Sequence, residues 1–303
     1  LADSLIDLDH ETLDGEFTNP WSLGASGSTV FPSGDGEAGG EFRFRFTVLA
    51  GDTDHNNVDG TANYQNWKSY EPGMIHVSTT ADDFDGDLTF GDLSLREAID
   101  YANTATEPTT IDLPAGRYAL SLGGTEDAGT AFNDLDVFGN ATILGAGAGL
   151  SDITTAWTSV PYLQMRVFDV RGAAARLRLE GITVSGSFSA ATPLGAAALV
   201  QNQAKLEIVE SAIVNDSGYG SGIGIQSLGS DVTILRSVFT NNTGYDGVAV
   251  QAWVQGSYAG SLTIGDSIFA LNKNWSGSAV PRNVVVSSGV VKTNLGNNLY
   301  DNA

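Results

Sequence analysis

The sequence predicts an all-β fold, a right-handed parallel β-helix of three sides with 26–30 residues per coil, on three observations. Four segments align without gaps: Leu177–Val184, Leu206–Ile213, Val232–Phe239 and Leu262–Phe269. Their starts lie 29, 26 and 30 residues apart, the period of a solenoid rather than of a globular domain. Equivalent positions in these segments also keep their chemistry. Stacking then predicts four columns along the axis: Ser211/Ser237/Ser267, Asp216/Asn242/Asn272, Tyr219/Tyr245/Trp275 and Glu210/Arg236/Asp266. Finally, 37 of 303 residues are glycine while charged residues make up only 17%, below the usual ~25%, a balance that suits tight corners rather than solvated helices.

Each repeat divides into short strands. Two apolar residues two apart open it (Leu206/Ile208, Val232/Ile234, Leu262/Ile264), the period of a strand with one buried face. A second apolar strand follows at Ile213, Phe239 and Phe269. A third comes after a Gly-rich corner, at Ile223-Gly224-Ile225 and Val248-Ala249-Val250.

Three regions are expected. Residues 1–49 read as the tail of an upstream β domain or an N-terminal extension, because Phe42, Phe44, Phe46 and Val48 alternate with polar residues. Residues 50–72 read as an Asp/Asn-rich loop and short helix stopped by Pro72-Gly73. Residues 73–303 read as the β-helix, with a helix near Ser94–Asn103 whose Leu95, Ala98 and Ile99 share a face that can cover the open end of the solenoid. The chain begins Leu-Ala-Asp and ends Asn302-Ala303, so it is expected to be an excerpt of a longer protein, truncated within the β-helix.

The formal charge of −22 excludes nucleic acid as a partner, since phosphate binding needs Lys and Arg to displace counterions. The absence of cysteine excludes a disulfide scaffold and thiolate chemistry. No 18-residue apolar run marks a membrane span, and no oligomer signal argues against a monomer.

Leu93-Ser94-Leu95-Arg96-Glu97-Ala98-Ile99, then Asn103 and Ile111–Tyr118, resemble the CSLREA-type start of bacterial extracellular β-helix proteins, with Leu93 in place of the usual cysteine. Thr142–Gly147 and Asn294–Leu299 fit the same family. The resemblance covers roughly residues 75–303. It implies a secreted or cell-surface location and a capped right-handed β-helix, and it implies no defined chemistry.

Gly51–Tyr64 resembles one dockerin calcium loop. Asp52, Asp54 and Asn56 stand at alternate positions, where three side-chain oxygens can converge on one hard cation. The carbonyl of Val58 and the side chain of Asn63, at loop positions 7 and 12, would complete a structural calcium site. Asn57 replaces the usual position-6 glycine, which an Asn tolerates. The family normally has two such loops and this chain shows one, which weighs against a cohesin-type partner but not against calcium.

Catalysis on a β-helix needs two carboxylates across a sugar, or acidic calcium ligands beside a proton acceptor. Glu210, Arg236 and Asp266 come nearest, and their alternating sign reads as a surface ion-pair column. Tyr219, Tyr245 and Trp275 either stack on sugar rings or on one another. Asp82–Asp87 reads as a solvated turn, because Leu88 and Ser94 fall where a calcium loop needs Gly and an acid. His10, His55 and His76 have no metal or triad spacing, and Asn140, Asn215, Asn241 and Asn274 read as turn residues rather than glycosylation sites.

No catalytic residue is assigned. The expected function is a non-catalytic secreted or cell-surface segment for adhesion, cell-envelope interaction or carbohydrate binding. The alternative is a polysaccharide lyase or glycoside hydrolase acting on an acidic polysaccharide.

Overall fold

Alternation buries Leu206 and Ile208 while Lys205 and Glu207 turn outward, and the chain lays an equivalent strand beside this one on every coil. In the computed structural model the described residues are 73–88, 91–123, 131, 133–156, 164–186, 188–189, 196–218, 225–244, 249–274 and 283–300. The chain divides into two units, Leu1–Ala50 and Gly51–Ala303, and every described residue belongs to the second. The expectations for residues 1–49 and 50–72 lie outside the described residues.

The architecture is a parallel β-helix. A first sheet stacks Met74–His76, Thr109–Leu113, Asn140–Gly145, Arg176–Glu180, Lys205–Val209, Asp231–Leu235, Ser261–Gly265 and Val291–Asn294, all parallel. A second sheet runs from Gly116–Leu120 through Ser151–Thr155, Thr183–Ser185, Ala212–Val214, Val238–Thr240 and Ile268–Ala270 to Leu299–Tyr300. A third runs from Leu135–Val137 through Phe168–Arg171, Ala198–Gln201, Ile225–Leu228 and Val250–Trp253 to Val284–Val286. Besides these three sides, two-residue strands form a short fourth ladder after the second sheet, in which Phe188–Ser189 meets Gln164–Met165 antiparallel.

The register places Leu177, Leu206, Val232 and Leu262 in one line, as the repeat alignment requires. Coil length is less uniform than the sequence suggests. The spacing is 26 residues from Lys205 to Asp231 and 30 from Asp231 to Ser261, but 36 from Met74 to Thr110 and 36 from Asn140 to Arg176. The extra residues lie between strands, so they leave the ladders intact and hide the period.

The core is a set of apolar stacks. Ile111, Ile143, Leu179, Ile208, Ile234 and Ile264 line the first sheet, each at most 1% exposed. On the second sheet the rings of Phe239 and Phe269 stack at 5.0 Å, and Phe269 and Tyr300 at 5.2 Å.

Two of the corners turn on single left-handed residues. Glu210, Arg236 and Asp266 (φ 49°, 49° and 51°) turn the first sheet into the second, and Asn215, Asn241 and Leu271 (φ 60°, 57° and 57°) end the second. Behind the first corner, each serine hydroxyl accepts a backbone N–H from the serine of the preceding coil: Ser211 to Ser237 at 3.2 Å and Ser237 to Ser267 at 3.1 Å. Asn298 takes the next place, its Oδ1 accepting from the Ser267 N–H at 2.9 Å. Behind the second corner, Asn242 Oδ1 accepts from the Asp216 N–H at 3.0 Å and Asn272 Oδ1 from the Asn242 N–H at 3.1 Å. Two of the predicted columns are therefore hydrogen-bonded ladders that satisfy buried corner backbone.

A helix at Leu95–Thr104 covers the end of the solenoid. Ser94 caps it reciprocally: its Oγ accepts from the Glu97 N–H at 3.2 Å, while Glu97 Oε2 accepts from the Ser94 N–H at 3.0 Å. Leu95, Ala98, Ile99 and Ala102 are buried, the predicted face with Ala102 added. At its far end Asn103 Oδ1 accepts from the Phe138 and Gly139 N–H groups at 2.7 and 3.0 Å, and its Nδ2 donates to the Asp136 carbonyl at 2.8 Å. A side chain at Gly139 would stand 2.3 Å from the Ala102 carbonyl oxygen, so glycine there permits the docking.

Candidate functional site

Two groups of acidic side chains lie at the capped end. The first is built by the turn before the helix. Ligand oxygens of Asp83, Asp85 and Glu97 all lie within 4.8 Å of one another. Glu97 is fixed by Ser94 and by a hydrogen bond from the Gly86 N–H at 3.0 Å, while the Asp85 carboxylate accepts from the Asp87 N–H at 2.8 Å. Burial, then the charges of Glu97, Asp92, Asp85 and Asp82, push the Asp83 carboxyl up to about 6 from an ordinary 3.8. Three carboxylates held this closely share protons or a hard cation in preference to all standing ionised.

The turn is solvated over residues 84–87, as the sequence suggests, and departs from that reading only at Asp82. Asp82 is half-buried, but its side chain is only 3% exposed and pairs with the fully buried Arg96, whose Nε donates to Oδ1 at 2.7 Å and whose Nη2 donates to Oδ2 at 3.2 Å. Arg96 also donates to the Asn133 and Asp134 carbonyls, at 3.0 and 3.3 Å, and Asp82 accepts from the Leu122 N–H at 2.7 Å. The Arg of the Leu93–Ile99 segment is thus a rivet between the cap and the first coil.

The second group lies on the third sheet, where Asp136 and Asp169 are register neighbours. Arg171 bonds Asp136 and approaches Asp169 to 3.5 Å; Arg166 bonds Asp134 and approaches Asp169 to 3.7 Å. Gln201 Nε2 donates to Asp169 Oδ1 at 3.1 Å, and the Phe138 ring lies 5.2 Å from the Arg171 guanidinium carbon. Asp134, Asp136 and Asp169 are all buried. Burial raises the Asp136 carboxyl to about 7; the Arg171 hydrogen bond opposes this, and the charges of Asp134 and Asp169 reinforce it. A carboxyl raised to this range with a second carboxyl beside it is what acid–base chemistry on a glycosidic bond uses. Here the carboxylates are spent on two arginines.

Of the residues singled out in the sequence, Asp52, Asp54, Asn56, Val58 and Asn63 lie outside the described residues, as do Tyr219, Tyr245 and Trp275. The charge column divides: Arg236 Nε donates to Glu210 Oε1 at 2.9 Å, while Asp266 accepts from Asn297 Nδ2 at 2.8 Å. His76 Nδ1 lies 2.8 Å from Asp112 Oδ2, its neighbour in the ladder. Asn215 and Asn241 occupy left-handed corners, with Asn241 Nδ2 donating to Asn215 Oδ1 at 2.6 Å. The Asp134/Arg166 and Asp136/Arg171 pairs escaped sequence reasoning because their partners stand 32 and 35 residues apart. No helix among the described residues is long and apolar enough to cross a membrane.

No protein-family model, no curated protein and no solved structure matches this chain.

Proposed function

We propose that this chain is a non-catalytic segment of a secreted or cell-surface bacterial protein, a β-helix stalk preceded by a calcium-stabilised module, serving adhesion, cell-envelope interaction or carbohydrate binding. The observation that carries this reading is how the polar groups are used. The serine and Asx columns bond to one another along the axis, and Asp82, Asp134, Asp136 and Asp169 pair with Arg96, Arg166 and Arg171. Polar side chains spent on the scaffold favour a support over a reaction centre. Calcium rests on the ligand spacing of Asp52, Asp54, Asn56, Val58 and Asn63.

The deciding experiment screens the purified chain against acidic and neutral polysaccharides for unsaturated-uronate release and new reducing ends, with and without EDTA. Robust turnover would overturn the scaffold reading. Calorimetry should show calcium heat that an Asp52→Ala/Asp54→Ala variant loses; no heat in the parent removes the calcium.

A second reading, a carbohydrate-active enzyme, draws on one observation, the Asp136 carboxyl raised to about 7 beside Asp169. If it holds, Asp136→Asn abolishes turnover in a chain that still folds.

A further inference from the structure

The corner that leads from the third sheet back to the first is short in two consecutive coils: residues 202–204 connect Gln201 to Lys205, and residues 229–230 connect Leu228 to Asp231. In the next coil it is long, residues 254–260 between Trp253 and Ser261. An insertion confined to one coil of a solenoid costs the ladders nothing and builds a feature on one face, commonly a binding face.

This insertion is ordered by its own backbone. Gln255 and Tyr258 bridge antiparallel, with N–H to carbonyl distances of 2.9 and 3.0 Å, around Gly256 at φ 60°. The Gln255 side-chain carbonyl accepts from the Asn202 N–H at 3.0 Å, two coils away. The turn folds back closely: a side chain at Gly229 would meet the Tyr258 carbonyl oxygen at 2.9 Å, and one at Gly260 the Ser230 carbonyl oxygen at 2.3 Å. The result is a groove of about 400 Å³ whose wall includes Tyr258, 50% exposed.

The groove takes its lining from the same corner of four successive coils, including Ala173, Gln203, Ser230 and Tyr258, so it runs along the axis for about 14 Å, three coil steps of ~4.8 Å. Lys205 and Asp231 also line it; they pair at 3.7 Å, and Asp231 further accepts from Ser261 Oγ at 2.7 Å. The lining therefore offers hydroxyl, amide, ammonium and carboxylate groups with no net charge, beside one exposed aromatic ring on an ordered backbone. That combination suits an uncharged polyhydroxylated chain: hydroxyls exchange hydrogen bonds with mixed donors and acceptors, and C–H faces lie against the ring.

We propose that this groove binds a neutral polysaccharide along the solenoid axis, with Tyr258 as the stacking platform. The proposal rests on the carbohydrate-binding part of the function proposed above, and it assigns the stacking to Tyr258 rather than to the sequence-predicted Tyr219, Tyr245 and Trp275.

Affinity electrophoresis through gels containing xylan, hydroxyethylcellulose, laminarin or polygalacturonate tests it, using the full chain. The parent is expected to be retarded by at least one neutral polymer more than by polygalacturonate. Tyr258→Ala should weaken that interaction about tenfold, and Tyr258→Phe, which keeps the ring, should restore it to within about twofold. Far-ultraviolet circular dichroism confirms that each variant folds. Retardation that Tyr258→Ala leaves unchanged but Trp275→Ala abolishes overturns this groove while sparing carbohydrate binding. Retardation by polygalacturonate alone overturns the neutral ligand. No retardation in any gel overturns both the groove and the carbohydrate reading.

Discussion

Asn272 Oδ1 accepts two hydrogen bonds from Asn242, from the backbone N–H at 3.1 Å and from the side-chain amide at 3.0 Å. Asn242 repeats the first of these toward Asp216 and also donates to the Ile213 carbonyl at 3.1 Å. Each asparagine thus closes a corner for the coil below while being held by the coil above. Asn242 is fully buried, so Asn242→Ala strands the Asp216 N–H and the Ile213 carbonyl without water to replace the amide. With each such group costing about 1–3 kcal/mol, a loss of roughly 2–6 kcal/mol is expected. Urea unfolding measures it, and a loss below about 1 kcal/mol would show that the ladder does not stabilise the corner.

The cap makes a comparable demand. Arg96→Met removes the cation from a fully buried pair and leaves Asp82 ionised in the interior. The expected cost is about 3–5 kcal/mol, most of it the stranded carboxylate rather than the lost attraction. Adding Asp82→Asn to Arg96→Met should therefore recover stability, since the amide still accepts from the Leu122 N–H. A double variant less stable than Arg96→Met would contradict this account.

Stability should fall as pH rises from about 4 to 7 at the capped end. Asp83 at about 6 and Asp136 at about 7 hold protons in the folded state that an unfolded carboxyl, near 3.8, has released. Through that window the folded chain binds more protons than the unfolded one, so the slope of unfolding free energy against pH from these two groups is negative. Asp83→Asn and Asp136→Asn should each flatten it. Urea midpoints at pH 4, 5, 6 and 7 report the slope, and Asn variants that keep the parent's pH dependence would refute the assignment.

How much of this was legible in the sequence follows from how each feature is encoded. The ladders of Ser211/Ser237/Ser267 and Asp216/Asn242/Asn272 were visible because a short polar side chain that can accept a backbone N–H recurs once per coil at the corner. The cap face was visible for a similar reason, since Leu95, Ala98 and Ile99 share a helical period. The pairing of Asp82 with Arg96, and of Asp134 and Asp136 with Arg166 and Arg171, was not visible, because each pair occurs once and its spacing depends on loop lengths. Those same loop lengths stretch the first coils to as many as 36 residues. The Asp83/Asp85/Glu97 cluster was half visible: the alternating aspartates were apparent, but the third carboxylate comes from the helix rather than from the loop.

One corner breaks the rule that its column follows. Asn215, Asn241 and Leu271 occupy equivalent left-handed positions, at φ 60°, 57° and 57°. Asparagine tolerates that conformation, and Asn241 already donates from Nδ2 to Asn215 Oδ1. Leucine is unfavourable there, and 61% of the Leu271 surface is exposed. The left-handed conformation costs a branched residue roughly 1–2 kcal/mol. Leu271→Asn should therefore stabilise the chain by about 0.5–1 kcal/mol and bring the new amide within reach of Asn241. Leu271→Gly relieves the same strain but loosens the unfolded chain, so it should stabilise less. Thermal and urea unfolding of the two variants decide the matter: a destabilised Leu271→Asn would mean that the leucine contributes more through its contacts than its backbone costs.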